Sequence, residues 1–174
     1  KRQRYLFFRN GIDPYAREYK NGNSRFDVID LIRLCYSLRP GGIHWPMHED
    51  NIPSFKLEDL TKANGIEHGQ AHDALADVYA TIELAKIIKD KQPRLWSWAL
   101  GLRDKYQVQD LVNQEQPLVH STSRFPSRHG GTSLVLPLGP HPKIKNQYIV
   151  FDLRHSPENL IQLPVSELSD YLYT

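Results

Sequence analysis

A single cysteine, Cys35, leaves this chain without a partner for an internal disulfide, a usage that fits a reducing cytoplasm. Long apolar runs are missing as well. None approaches the ~20 residues that a membrane helix needs, so no membrane association is expected. The apolar stretch near the start, YLFF, is far short of a signal-peptide core. A charge excess is also lacking: 22 Lys and Arg against 20 Asp and Glu give a formal charge of +2. That is too small to argue for nucleic acid without local clustering. Only one methionine occurs, Met47, so the start codon is expected upstream of Lys1. The last residues, SELSDYLYT, read as a helix still in progress with Ser166 as its N-cap. The chain therefore reads as an interior piece of something longer, with neither a repeat nor a low-complexity tract.

What is present is an ordinary globular composition, 40% hydrophobic and 24% charged over 174 residues. That is enough for one domain or two small ones with a real core. Residues 1–92 read as mainly helical. SRFDVIDLIRLCYSL has Ser24 as N-cap and Asp27 three residues later, close to a capping box. Its apolar residues cover most of the circumference and leave Asp27, Asp30, Arg33 and Ser37 as a narrow polar stripe. SFKLEDLTKANGI is a short helix from about Ser54, ending at Asn64-Gly65 with Ile66 in a Schellman-type cap. The next helix runs from about Asp73 to Lys89, with Leu75, Val78, Ile82 and Ala85 as its apolar stripe. A boundary is expected near Gln92-Pro93. Residues 93–113 follow as one connecting helix, with Leu95, Trp98, Leu102 and Leu111 buried. Trp45, Trp96 and Trp98 are assigned to the core. PLVHSTS, TSLVLPL, QYIVFDL and NLIQLP are short β-rich runs broken by Pro and Gly, a small antiparallel module.

The stretch GIEHGQAHDALADVYAT raises the functional question, because two histidines and two aspartates introduce a helix that is otherwise apolar. One reading is a helix start, where Asp complements the dipole. The other is a metal-dependent site built on His72 and Asp77. Five residues at helical pitch turn through ~500°, so the two side chains converge only if His72 sits at or before the helix start. A neutral histidine there suits a general base acting on water, and the hard oxygens of Asp77 suit a divalent cation. With eight His and 12 Asp in the chain, this spacing arises by chance in roughly one such chain in two. Of the neighbours, Asp73 reads as a dipole residue and His68 as a loop residue.

The wider stretch LTKANGIEHGQAHDALADVYAT resembles the third motif of the DEDDh 3′→5′ exonucleases, where a loop histidine and a helix aspartate stand five residues apart. FFRNGIDPYA, NSRFDVIDLIRLCYSLRPGGIHWP, KQPRLW and PLVHSTS extend the resemblance over nearly the whole chain. It implies an α/β fold: the C-terminal part of a ribonuclease-H-like exonuclease domain over 1–92, then a small SH3-like β module within 93–174. It also implies single-stranded DNA degraded to 5′-mononucleotides in DNA repair, with His72 as base and Asp77 as ligand in a site of two Mg²⁺ ions, Mn²⁺ being a substitute. The family uses four acidic residues, including an Asp-x-Glu pair, and no Asp-x-Glu occurs in these 174 residues. Alone, they are therefore expected to be inactive.

Contacts to the strand have weaker signals. Tyr15 and Tyr19 share a face if 14–19 is helical, and either stack on bases or pack ordinarily. Arg33 is the lone cation on its polar stripe and either meets DNA or pairs with Asp30 at i,i+3. With Arg4 and Lys56 they form the DNA-binding set that the resemblance favours. It further implies a partner, the acidic C-terminal tail of the single-stranded-DNA-binding protein, for which Arg39 and the β-module face are docking points. His120, Arg124, Arg128 and His129 make a loosely basic loop region, suited to phosphate or simply solvated. Two alternatives stand beside the exonuclease: a non-catalytic single-strand-binding module, and a ribonuclease of the same superfamily.

Overall fold

The computed structural model describes residues 2–67, 74–164 and 166–167. Helix α1 (Arg2–Arg9) leads through two 3₁₀ turns, Ala16–Glu18 and Lys20–Gly22, into α2 (Val28–Leu38). The N-cap of α2 is Asp27, whose carboxylate accepts the Ile29 amide at 3.1 Å. The expected cap Ser24 lies outside, because Asp27 is the capping side chain directly ahead of the first helical residue. Helix α3 (Leu57–Ala63) begins later than Ser54. Ser54 is buried instead, and its hydroxyl donates to Asp59 at 2.5 Å. The other end of α3 meets expectation. Gly65 sits at φ 66°, the Ile66 amide reaches back to the Thr61 carbonyl at 2.9 Å, and Gly65 N–H points to Lys62 at 3.4 Å.

Helix α4 (Ala74–Lys91) buries Ala80, Leu84 and Ile88, not the expected stripe. Leu75, Val78 and Ile82 are 58%, 52% and 43% exposed, since α2 and α3 lie against the other side. The core is formed by Leu31, Ile32, Cys35, Ile43, Leu60, Leu84, Ile88 and Ala99, with Phe26, Trp45, Phe55, Leu95 and Trp96 packed around it. Burial pushes the Cys35 thiol up to about 11, which leaves it inert at neutral pH.

The expected connecting helix is two helices, α5 (Pro93–Gly101) and α6 (Lys105–Asn113). Asp104 starts the second by accepting the Tyr106 amide at 2.9 Å. Ala99 of α5 is buried, while Leu95, Leu102 and Leu111 are half-buried. Trp98 is 49% exposed and lies outside the core. Strands β1 (Leu118–Ser121), β2 (Thr132–Pro140) and β3 (Tyr148–Asp152) form an antiparallel sheet in the order β1-β2-β3. Leu118 faces Val135, and Leu136 faces Phe151. Central strand β2 carries Pro137, and its register shifts between Pro137 and Gly139, a bulge where a missing N–H is tolerated. NLIQLP is not a strand. Ser156 accepts the Glu158 amide at 3.3 Å and Pro157 follows it, so helix α7 (Glu158–Gln162) starts there. Ser166 and Glu167 are helical, and the rest of SELSDYLYT lies outside the described residues.

Candidate nucleic-acid interface

The segment between α1 and α2 is organised by Asp13. One carboxylate oxygen accepts the Tyr15 amide at 2.9 Å, and the other accepts the Tyr19 hydroxyl at 2.5 Å. The Tyr19 hydrogen bond and then the Tyr15 amide hold this carboxyl below its usual range. Between Tyr15 and Tyr19 stands the 3₁₀ turn Ala16–Glu18 rather than an α-helix, yet both rings remain outside, 50% and 58% exposed. Arg4 donates to Glu18 at 2.9 Å and lays its guanidinium 4.5 Å from the centre of the Tyr15 ring. Arg25 stands 3.7 Å from the same Glu18. Two exposed rings and two cations thus share one surface, which Asp13 and Glu18 hold in order.

Arg33 and Lys56 occupy a second surface. The Arg33 guanidinium pairs with Asp30 at 2.8 Å, the i,i+3 arrangement, and lies 5.9 Å from the centre of the Phe55 ring. Its side chain is only 14% exposed. Phe55 is fixed edge-on against Tyr36 (5.6 Å), which in turn meets Trp45. Lys56 follows in the N-cap position of α3 and is exposed. Asp77 lies half-buried in the first turn of α4, and its carbonyl accepts the Thr81 hydroxyl at 2.8 Å. Thr81 and Leu84 form one wall of an open groove of about 650 Å³ whose other walls are the start of α2, Phe55 and Leu57. The helix of Asp77 and the loop of Lys56 therefore meet at one groove. His72, His68 and Asp73 lie outside the described residues.

Asp30, Trp98, Val119 and His120 line a smaller groove of about 390 Å³, which shares Arg25, Phe26 and Asp27 with the first. Burial lowers the His120 imidazole below its ordinary value, against the pull of Asp30. Arg39 is exposed and donates to the Leu38 carbonyl. Arg124, Arg128 and His129 are exposed on the β1–β2 loop. Sequence reasoning missed Arg25, Glu18 and the Phe55 ring, because only the folded 3₁₀ segment and the loop before α3 bring them to these surfaces.

The chain is 48% identical over 173 residues to exodeoxyribonuclease I of Escherichia coli strain K12, and 49% identical to that of Haemophilus influenzae. Both alignments cover 98% of this chain and little more than a third of the relative, 36% and 37%. The chain is homologous to exodeoxyribonuclease I. A crystal structure of E. coli exonuclease I in complex with a dA16 oligonucleotide superposes with a TM-score of 0.89 at 48% identity, over 98% of this chain and 37% of that one. An ExoI/SSB-Ct complex superposes with a TM-score of 0.86 at 47% identity, again over 98% and 37%. Residues 103–174 match the exonuclease I SH3-like domain, so the three-stranded sheet belongs to that module. The fold is thus the helical C-terminal part of an exonuclease I nuclease domain followed by its SH3-like sheet.

Exonuclease chemistry raises the question of metal. Asp77 suits Mg²⁺ in kind, a hard carboxylate on a helix N-terminal turn beside the groove. In number the donors fall short: among the described residues no three His, Cys, Asp or Glu gather as a metal centre.

Proposed function

We propose that the protein is a 3′→5′ exonuclease that degrades single-stranded DNA to 5′-mononucleotides, in DNA repair and recombination. The observation that carries this is the likeness over 98% of the chain, in sequence and in fold, to exonuclease I solved with a dA16 oligonucleotide. The exposed tyrosine pair with its attendant cations supports it, since stacked rings and separate phosphate contacts are how single strands are gripped without sequence preference. In this reading Tyr15 and Tyr19 stack on bases, Arg4, Arg33 and Lys56 meet phosphates, and Asp77 is one carboxylate of the metal site. His72 takes the proton from the attacking water. Mg²⁺, when bound, supplies charge neutralisation at the scissile phosphate. The acidic C-terminal tail of the single-stranded-DNA-binding protein is the proposed partner, supported by the ExoI/SSB-Ct complex, with Arg39 as a docking cation.

The test is release of the 3′ nucleotide from an end-labelled single strand by the full protein with Mg²⁺. Digestion from the 3′ end that Asp77→Ala abolishes and a chelator stops is expected. Digestion from the 5′ end, or unchanged turnover in Asp77→Ala, would overturn the reading.

A further inference from the structure

The sheet meets α2 at a bare turn. Gly130 and Gly131 both have left-handed φ, 68° and 62°, and both press on α2. A Cβ on Gly131 would stand 2.7 Å from Arg33 Cδ and 3.1 Å from its Nε. One on Gly130 would instead meet Tyr36 Cδ1 at 2.8 Å and press closer still on Ser37 Oγ. The turn is tied on its own side, where Thr122 N–H donates to the Gly131 carbonyl at 2.8 Å and Gly131 N–H to Pro126 at 3.2 Å. It therefore cannot retreat freely. Arg33 is bracketed at both ends. Its carbonyl accepts the hydroxyls of Ser37 (3.0 Å) and Thr132 (3.5 Å), and its guanidinium lies between Asp30 and the Phe55 ring. An arginine arm only 14% exposed takes its direction from such walls, not from solvent.

We infer that Gly131 is a positioning residue for strand binding: its missing side chain lets the Arg33 arm pass the turn and aims the guanidinium beside Phe55. The SH3-like module thereby sets the aim of a cation that belongs to the nuclease part. This rests on the proposed reading of Arg33 as a phosphate contact. A Cβ at 2.7 Å displaces either the arm or the turn. Displacing the arm turns the guanidinium away from the strand while the tyrosine surface stays intact.

The experiment is a salt titration of binding to an oligo-dT single strand by the full protein in chelator. It compares Arg33→Ala, Gly131→Ala and the double variant, with Gly130→Ala as the control for strain in the same turn. Losing one phosphate contact to a single strand flattens the slope of log affinity against log salt by roughly 0.7. Gly131→Ala is expected to flatten it by that amount, as Arg33→Ala does, and the double variant to flatten it no further. Gly130→Ala, whose Cβ meets Tyr36 and Ser37 and not the Arg33 arm, is expected to flatten it by less than Gly131→Ala. Should Gly131→Ala fail to fold, Gly131→Asn adds the same Cβ while tolerating the left-handed backbone. A flattened slope in Arg33→Ala with a wild-type slope in the Gly131 variant overturns the positioning role, as does an additive double variant or an equal effect from Gly130→Ala. An unchanged slope in Arg33→Ala overturns the phosphate reading itself, and the inference with it.

Discussion

Tyr15 and Tyr19 engage Asp13 through an amide and a hydroxyl and keep their rings outside, whereas Arg33 is paired and mostly enclosed. The two kinds of residue are therefore expected to fail differently. Tyr15→Ala or Tyr19→Ala should weaken single-strand binding on the order of tenfold, the worth of one stacked base, with the salt slope held. Lys56→Ala should instead flatten the slope by roughly 0.7. Fluorescence anisotropy under metal-free conditions separates the two, and tyrosine variants that bind as tightly as wild type would return the pair to ordinary packing. In the sheet, Asp152 accepts Arg154 Nε on both oxygens at 3.0 Å and the Ser133 hydroxyl at 2.5 Å, and these bonds hold its carboxyl below the ordinary 3.8. A depressed carboxylate stabilises the fold above its unfolded pKa and loses that stability as pH falls toward its folded one. The SH3-like module should thus weaken below about pH 4, and Asp152→Asn, less stable at neutral pH, should converge with wild type in acid. Circular-dichroism melts from pH 7 to pH 2 check this.

Helix α4 separates what a pattern can tell from what packing decides. Leu75-Val78-Ile82 and Ala80-Leu84-Ile88 both satisfy helical spacing, and periodicity alone does not say which side meets α2 and α3. Leu84→Ala is expected to cost about 2–5 kcal/mol, against near neutrality for Ile82→Ala, in urea unfolding. The end of α3 was legible for the opposite reason: Asn-Gly-Ile encodes a local backbone requirement that distant contacts do not change. Gly65 takes φ 66°, so Gly65→Ala should destabilise by about 1 kcal/mol in the same assay. The break between α5 and α6 was also written locally, in Asp104, but a run of apolar residues on both sides masked it. NLIQLP failed similarly, since its β-like composition concealed the Ser156-Pro157 start that fixes a helix. Arg33 left two readings open in the sequence, and only the fold shows the Asp30 pair and the Gly131 wall together.

At the scale of the molecule, the chain spans little more than a third of the exodeoxyribonuclease I relatives that it matches, and among the described residues it presents apolar surface on α1, α4 and the sheet. Tyr5, Leu6 and Phe8 on α1, Val78, Tyr79 and Ile82 on α4, and Leu134, Leu138 and Ile149 on the sheet are all exposed. A patch of this kind on an isolated chain seeks cover. Expressed as these 174 residues alone, the chain should bind an apolar dye such as ANS and self-associate as its concentration rises. On the proposed reading of Asp77 as a metal ligand, it should also leave a labelled single strand uncut, because a single carboxylate is too few to hold two Mg²⁺ ions. The checks are dye fluorescence, sedimentation, and 3′-nucleotide release with Mg²⁺, each with Asp77→Ala alongside. Single-strand binding should nonetheless survive in the 174 residues, since the tyrosine surface is set by Asp13, Glu18 and Arg4, all within them. Turnover that Asp77→Ala abolishes would show instead that the 174 residues complete a site of their own.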